Sequence, residues 1–191
     1  MKKDKLKIFK NIPQLSTDRL ILRRMTLEDL KDVYEYASDP TVSEYLMWYP
    51  HKNIEYTKMY LRYLEKLYKK GKFYDWGIVF NDKLIGTVGF TSINLKTNVG
   101  EIGYVLNRSL WGKGIASEAV REVLKFGFSV LGFDRVEAII LPENKRSRGL
   151  LTRCLFSFQE FRNASILIKG MYRDVEVFSI TKEQYFKGIN I

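Results

Sequence analysis

The chain has one cysteine, Cys154, and one histidine, His51. A lone cysteine excludes an internal disulfide and any cysteine-rich metal site. A lone histidine leaves no second imidazole to build a metal centre, so no metal is expected. Long apolar runs are missing as well, and none approaches the roughly 18 residues that a membrane span needs. The first ten residues, MKKDKLKIFK, hold five lysines and no apolar h-region, so they do not form a secretory signal. Repeats, low-complexity tracts and linkers are absent. These absences suit a cytoplasmic chain. Acidic side chains are in deficit, 22 against 32 Lys and Arg, which leaves a formal charge of +10. That excess can steer an anionic partner, whether a small molecule, RNA or an acidic protein. For the lysines at the start, a solvated, frayed terminus is the plainer account.

What is present points to one domain over residues 1–191, with residues 1–14 as a flexible or peripheral segment. The length suffices to bury a real core, and 46% of the residues are hydrophobic, which argues against disorder. Residues 19–25 alternate apolar and polar and read as a strand. Thr26 to Asp29 is a capping-box signal. The helix it opens carries Leu30, Val33, Tyr34 and Ala37 on one face and stops before Pro40. Residues 40–52 read as irregular and aromatic, and 54–70 as a second amphipathic helix. Strands are expected at 76–80, 84–93 and 99–106, the first two as a hairpin. A long helix over 115–131 follows, then a buried strand at 136–141 and a helix at 144–155. Strands at 158–168 and 175–180 flank the turn Lys169-Gly170, and Thr181 caps a short last helix. This order is a mixed α/β chain with a right-handed crossover across 99–141.

The stretch richest in chemistry is EIGYVLNRSLWGKGIASEA, residues 101–119. A strand feeds a glycine turn that opens a helix with Ile115, Ala119, Val123 and Phe126 at helical spacing. Glycines admit close backbone approach, and the amides and dipole of a helix start favour phosphate. A phosphate-bearing ligand is therefore expected at residues 112–117. The Walker pattern fails, because Asn107 stands where its first glycine belongs and Gly114 follows Gly112-Lys113. The dinucleotide pattern is weak, because Ser117 replaces its third glycine and Asp134 precedes the next apolar run.

A third pattern fits better. The stretch resembles motif A of the GNAT acyltransferases, with Gly114 and Ala116 at its two small positions and Trp111 departing from the usual Arg or Gln. The Trp-Gly-Lys-Gly form is similar to the branch that acetylates ribosomal-protein N-termini. Ser16 to Arg23, Ile85-Gly86, Arg135 to Ala138, Pro142-Glu143-Asn144 and Ser147 match in the same order, over roughly residues 15–180. The resemblance implies a mostly antiparallel sheet that splays between the strands at 99–106 and 136–141. It implies acetyl-CoA as co-substrate, held by Tyr104, Val105, Leu106, Trp111, Gly112, Lys113, Gly114, Ile115, Ala116, Ser117 and Asn144. Backbone amides near Val105 and Leu106 become candidate oxyanion donors.

Acetyl transfer to an amine needs a neutral amine, a polarised thioester and a proton for the leaving thiolate. Glu101, at the head of the strand, is the candidate base; an exposed strand-end carboxylate is the bland alternative. Ser147 is the candidate acid against a helix-surface serine, since Thr152, Arg153 and Cys154 occupy the region where many family members carry a tyrosine. Lys145, Arg146 and Arg148 are further candidates for phosphate contacts. Cys154 reads as a buried small hydrophobe, and His51 as surface or substrate rim. Trp48, Tyr49, Tyr74 and Trp76 line either the acceptor cleft or the core. The acceptor amine is expected to be a protein N-terminus, with a small amine such as an antibiotic or polyamine as the enzyme alternative. A non-catalytic basic RNA- or ribosome-binding module is the rival from another class, and no RNA-binding strand motif supports it. No membrane or direct nucleic-acid partner is expected, and the chain is expected to be a monomer or homodimer.

Overall fold

A computed structural model describes residues 6–189. The lysines at positions 2, 3 and 5 lie outside the described residues. In chain order come β1 (Leu15–Ser16), β2 (Ile21–Arg23), α1 (Leu30–Ala37) and α2 (Ile54–Lys69). Then follow β3 (Asp75–Phe80), β4 (Lys83–Asn94), β5 (Val99–Leu106), α3 (Ile115–Phe126), β6 (Arg135–Ile140) and α4 (Lys145–Arg153). β7 (Ser157–Ile168), β8 (Met171–Thr181) and α5 (Lys182–Ile189) close the chain. The strands form one sheet in the order β1-β2-β3-β4-β5-β6-β8-β7. Every neighbouring pair is antiparallel except β5–β6. Among the described residues, no helix is long and apolar enough to cross a membrane.

The sheet buries both faces. Trp76, Ile78, Val88, Phe90 and Ile102 point to one side and meet Ala119, Val120, Val123 and Leu124 of α3. Those helix positions are fully buried, and each large apolar side chain contributes about 1.5–3 kcal/mol. A charge at Val123 would therefore unseat the helix. Val79 and Leu84 point to the other side, where they meet Val33, Tyr36, Leu61, Leu64 and Tyr68 of α1 and α2. The expected box caps a 3₁₀ turn, Leu27–Asp29, that runs into α1, and in it the Thr26 amide donates to Asp29 Oδ2 at 2.7 Å.

The structure departs from expectation in places. Residues 6–11 form a 3₁₀ turn instead of a peripheral tail. Phe9 is fully buried, edge-on to Tyr74 at 4.7 Å and Trp76 at 5.8 Å. One aromatic anchor among lysines decides the matter. Residues 40–43 make a short helical turn capped by Asp39, whose side chain accepts from the Thr41 amide. The long helix ends as α-helix at Phe126 and continues through Gly127–Leu131 with π-type winding. A Cβ at Gly127 would stand 2.9 Å from the tip of the Phe90 ring, so a larger residue there would have to displace that ring.

β5 and β6 pair over three rungs only: Val99 with Arg135, Gly100 with Val136, and Glu101 with Glu137. β6 follows β8 along its whole length, six rungs from Arg135 to Ile140, and leaves β5 after Glu137. The β7–β8 hairpin then arches back. At its tip Lys169 donates from Nζ to the Ser43 carbonyl at 2.7 Å, and Tyr49 donates to the Lys169 carbonyl at 3.4 Å.

Candidate active site

Where β5 and β6 part, a cavity of about 760 Å³ opens. One wall is residues 102–106 of β5 and the other residues 138–140 of β6. The start of α3, the start of α4 and the segment around Tyr45 close it.

The ladder fixes which amides face this gap. The Asn107 amide donates to the Ile85 carbonyl at 2.7 Å, and Leu106 stands opposite Gly86. In an antiparallel pair that alternation turns Val105 toward β4 and leaves the amides of Tyr104 and Leu106 pointing into the gap. Val105 therefore differs from the expectation of an oxyanion donor, while Leu106 stays in place. The Leu106 carbonyl accepts from Trp111 Nε1 at 2.8 Å, which folds the indole back over the end of the strand. The Arg146 guanidinium lies 4.8 Å from the Trp111 ring.

The glycine turn has the shape that a phosphate site needs. Gly112 and Gly114 have φ of 78° and 75°, left-handed values that strain other residues. No side chain caps α3, so the first amides of the helix keep their donors. Gly112, Gly114, Ile115, Ala116 and Ser117 line the cavity, with Asn144, Lys145 and Arg146 facing them. Lys113 is exposed and outside the lining, with its carbonyl held by Arg19 at 3.2 Å. Arg19 also binds Glu118 on α3 from Nε at 2.7 Å, and Thr17 donates to the same carboxylate at 2.5 Å. This brace ties the Ser16–Arg23 block to the glycine turn and the start of α3. Arg148 is also away from the lining, committed to Glu176 at 2.5 Å and the Pro142 carbonyl at 3.2 Å.

Asn144 caps α4 by accepting from the Ser147 amide at 3.1 Å. That cap places Ser147 at the cavity, where its hydroxyl hydrogen-bonds the Tyr104 hydroxyl. Burial pushes the Tyr104 phenol well above its usual range, so it stays protonated at any working pH. The sequence assigned Tyr104 to the cofactor and Ser147 to proton donation without linking them. Strand alternation puts Tyr104 on the α4 side, and only the fold shows that the two meet.

Glu101 stands on the opposite face, and its side chain is not part of the cavity lining. It accepts from Thr91 Oγ1 at 2.6 Å. Gly103 and Val105 share its face. About 13 Å of strand separates Glu101 from Val105. His51 is buried, contrary to the expected surface or rim position. Its Nδ1 lies 2.9 Å from Thr57 Oγ1 and its ring among Trp48, Tyr56 and Tyr60, and burial lowers its pKa. Trp76 and Tyr74 belong to the core, with Trp76 Nε1 donating to the Pro13 carbonyl at 2.7 Å. Trp48 packs on the α1–α2 side and Tyr49 is exposed. Cys154 is the buried small hydrophobe expected, with its thiol pKa raised by burial.

The comparisons agree with this architecture. Residues 19–157 match the acetyltransferase (GNAT) domain. The chain is 36% identical over 173 residues to the N-acetyltransferase p20 of Bacillus licheniformis, covering 90% of this chain and 97% of that one. It is 24% identical over 189 residues to the ribosomal protein uS5 alanine N-acetyltransferase of Escherichia coli, covering 93% and 96%. A solved structure of RimL, the ribosomal L7/L12 α-N-protein acetyltransferase with coenzyme A, superposes with a TM-score of 0.77 at 19% identity, covering 88% of this chain and 98% of that one. A splayed β5–β6 pair, an uncapped helix after two left-handed glycines, and a domain match over most of the chain converge: this protein belongs to the GNAT family and is an N-acetyltransferase.

Proposed function

We propose that the chain moves the acetyl group of acetyl-CoA to a primary amine, and that the amine is a protein N-terminus of the ribosomal-protein type. The observation that carries the transfer reading is the gap between β5 and β6, with free strand amides on one side and an uncapped helix at its end. The amides of residues 115–117 suit the cofactor's phosphates, with Gly112 and Gly114 allowing close approach and Lys145 and Arg146 adding charge. Asn144, Tyr104, Leu106 and Trp111 border the path of the pantetheine arm. The Tyr104 and Leu106 amides aim at the thioester oxygen, where fixed donors stabilise the charge that develops on transfer. Ser147, paired with the Tyr104 phenol, supplies the proton to the leaving sulfur. Glu101, on the acceptor face, draws the proton from the amine through water.

The N-terminal reading is supported by the uS5 relative, whose aligned region covers nearly all of both chains. It also suits the chemistry. An N-terminal amine with a pKa of about 8 is partly neutral at physiological pH, whereas a lysine at about 10.4 needs more help. A small polyamine is the second reading, favoured by a half-buried carboxylate on the acceptor face, Asp75, which is unpaired among the described residues. This work belongs in the cytoplasm, for a monomer or homodimer. The test has two parts. Acetyl-CoA at about 100 times its Kd should stabilise the protein by roughly 2.7 kcal/mol in a thermal melt. A screen of ribosomal N-terminal peptides against small amines should then show acetylation of the peptides. A melt unmoved by acetyl-CoA overturns the transfer reading, and acetylation of small amines alone overturns the N-terminal one.

A further inference from the structure

Asp75 opens β3 and pairs with Gly89 of β4, and Gly89 pairs with Gly103 of β5. Paired positions share a face of the sheet, so the three form one row across three strands. The row lies on the α1–α2 side, because Val79, two alternations along from Asp75, packs there while Trp76 and Ile78 point the other way. Two of its three positions carry no side chain. Gly103 borders the cavity. Strand spacing makes the row about 10 Å long from Asp75 to the cleft.

The carboxylate leans over Gly89, beside the Tyr74 carbonyl. Asp75 Oδ1 lies 2.4 Å from where a Cβ of Gly89 would stand. Over Gly103, a Cβ would meet one atom within 4 Å, the Thr91 methyl at 2.7 Å. The Asp75 carbonyl accepts from the Tyr68 hydroxyl at 2.7 Å, but among the described residues its carboxylate has no hydrogen-bond or ion-pair partner. Tyr36 faces it from α1, and Tyr60 and Tyr68 face it from α2. Arg24 is spent on the Tyr68 ring, 4.9 Å from its centroid, and Glu101 is held by Thr91. Burial raises the Asp75 pKa to about 7, with no cation offsetting it. A half-buried carboxylate left unpaired among aromatic rings, in register with a residue that borders the cleft, lacks a cation.

Resting on the acetyl-transfer reading, we propose that Asp75 seats a second cation of the acceptor, an ammonium or guanidinium group about 5–10 Å from the nitrogen that reacts at Gly103. The reacting nitrogen must be neutral, whereas the second group is recognised because it is charged. Two kinds of acceptor share this chemistry, a diamine and a peptide with a basic side chain near its N-terminus.

The experiment compares matched acceptors. Butylamine is set against 1,4-diaminobutane, and a tripeptide with norleucine at position two against the same peptide with lysine. The wild type should favour the dication of at least one pair by about ten- to hundredfold in kcat/KM at pH 8, as expected for one charged contact. Preference within the first pair alone identifies the diamine, and within the second alone the peptide. Asp75→Asn should bring the ratio to within about twofold of unity. In the wild type the ratio should fall as pH drops through about 7, where Asp75 takes up its proton. Calorimetry of the same acceptors on the coenzyme A complex reads the preference without turnover. No preference in the wild type, or a ratio that survives in Asp75→Asn, overturns the proposal. Failure of every amine to react, with the calorimetric preference intact, overturns the transfer reading alone.

Discussion

Asp75→Asn should make the ligand-free protein more stable above pH 7 and no more stable near pH 4. The reasoning starts from the ordinary carboxyl value of 3.8 in the unfolded chain and about 7 in the fold. As pH rises past 3.8 the unfolded chain releases its proton first, while the folded chain keeps it until about 7. Folding stability therefore falls across that window, by about 1.4 kcal/mol for each unit of difference, or about 4 kcal/mol in all. Asp75 is only half-buried, and water reaching it brings the expected cost to about 2–4 kcal/mol. Asparagine keeps the shape and carries no titrating proton, so its curve lacks this decline. For a chain of this size the gap amounts to about 5–15 °C in Tm above pH 7. The assay is a series of thermal melts of both proteins between pH 4 and 8.5, without cofactor. Parallel curves would refute the reasoning, because the carboxylate would then ionise in the fold as easily as in water.

The other predictions concern the transfer itself. Gly114→Val forces a branched residue to φ 75°, costs about 1–2 kcal/mol of backbone strain, and should raise the KM for acetyl-CoA at least tenfold in a variant that still folds; unchanged binding removes the loop from the phosphate site. Ser147→Ala should lower kcat by about 10²-fold with the KM for acetyl-CoA little changed, since a leaving-group proton acts only in the transition state. Tyr104→Phe should behave alike, and the double variant should fall short of the product of the two losses; independent effects would separate the hydroxyls. Glu101→Gln should cut turnover about 10²–10⁴-fold at neutral pH and recover in part as pH rises, because more amine is then neutral unaided; a full rate with the wild-type acid limb leaves Glu101 without a role in proton removal.

The glycine turn and the uncapped helix start were legible because they are local. Two glycines beside a helical apolar period state the turn, the helix and the free amides within ten residues. The splay was legible only through the resemblance, since residues 102–106 read like any ladder strand. What strips them of a neighbour is β6 turning to β8, forty residues and more beyond. Asp75 carried no signal at all, because an acid before a strand is commonplace and its meaning lies in register with Gly89 and Gly103. His51 misled for a related reason. It sits in an irregular stretch, yet the first turns of α2 bring Tyr56 and Tyr60 over it. Lys113 was one of several candidate phosphate cations, and its exposed side chain lies outside the lining, while Lys145 and Arg146 are part of it.

The clasp between the tip of the last hairpin and residues 43–49 joins two pieces of chain about 120 positions apart. One of those pieces, through Tyr45 and Leu46, borders the cleft. That side of the cleft is therefore steadied by an outlying loop that contributes nothing to the glycine turn or to the gap between β5 and β6. Its contacts run through Lys169, the Tyr49 ring and hydroxyl, and backbone carbonyls. Lengthening, shortening or regrafting that tip would reset the size of guest admitted while the acetyl-donor half stayed as it is.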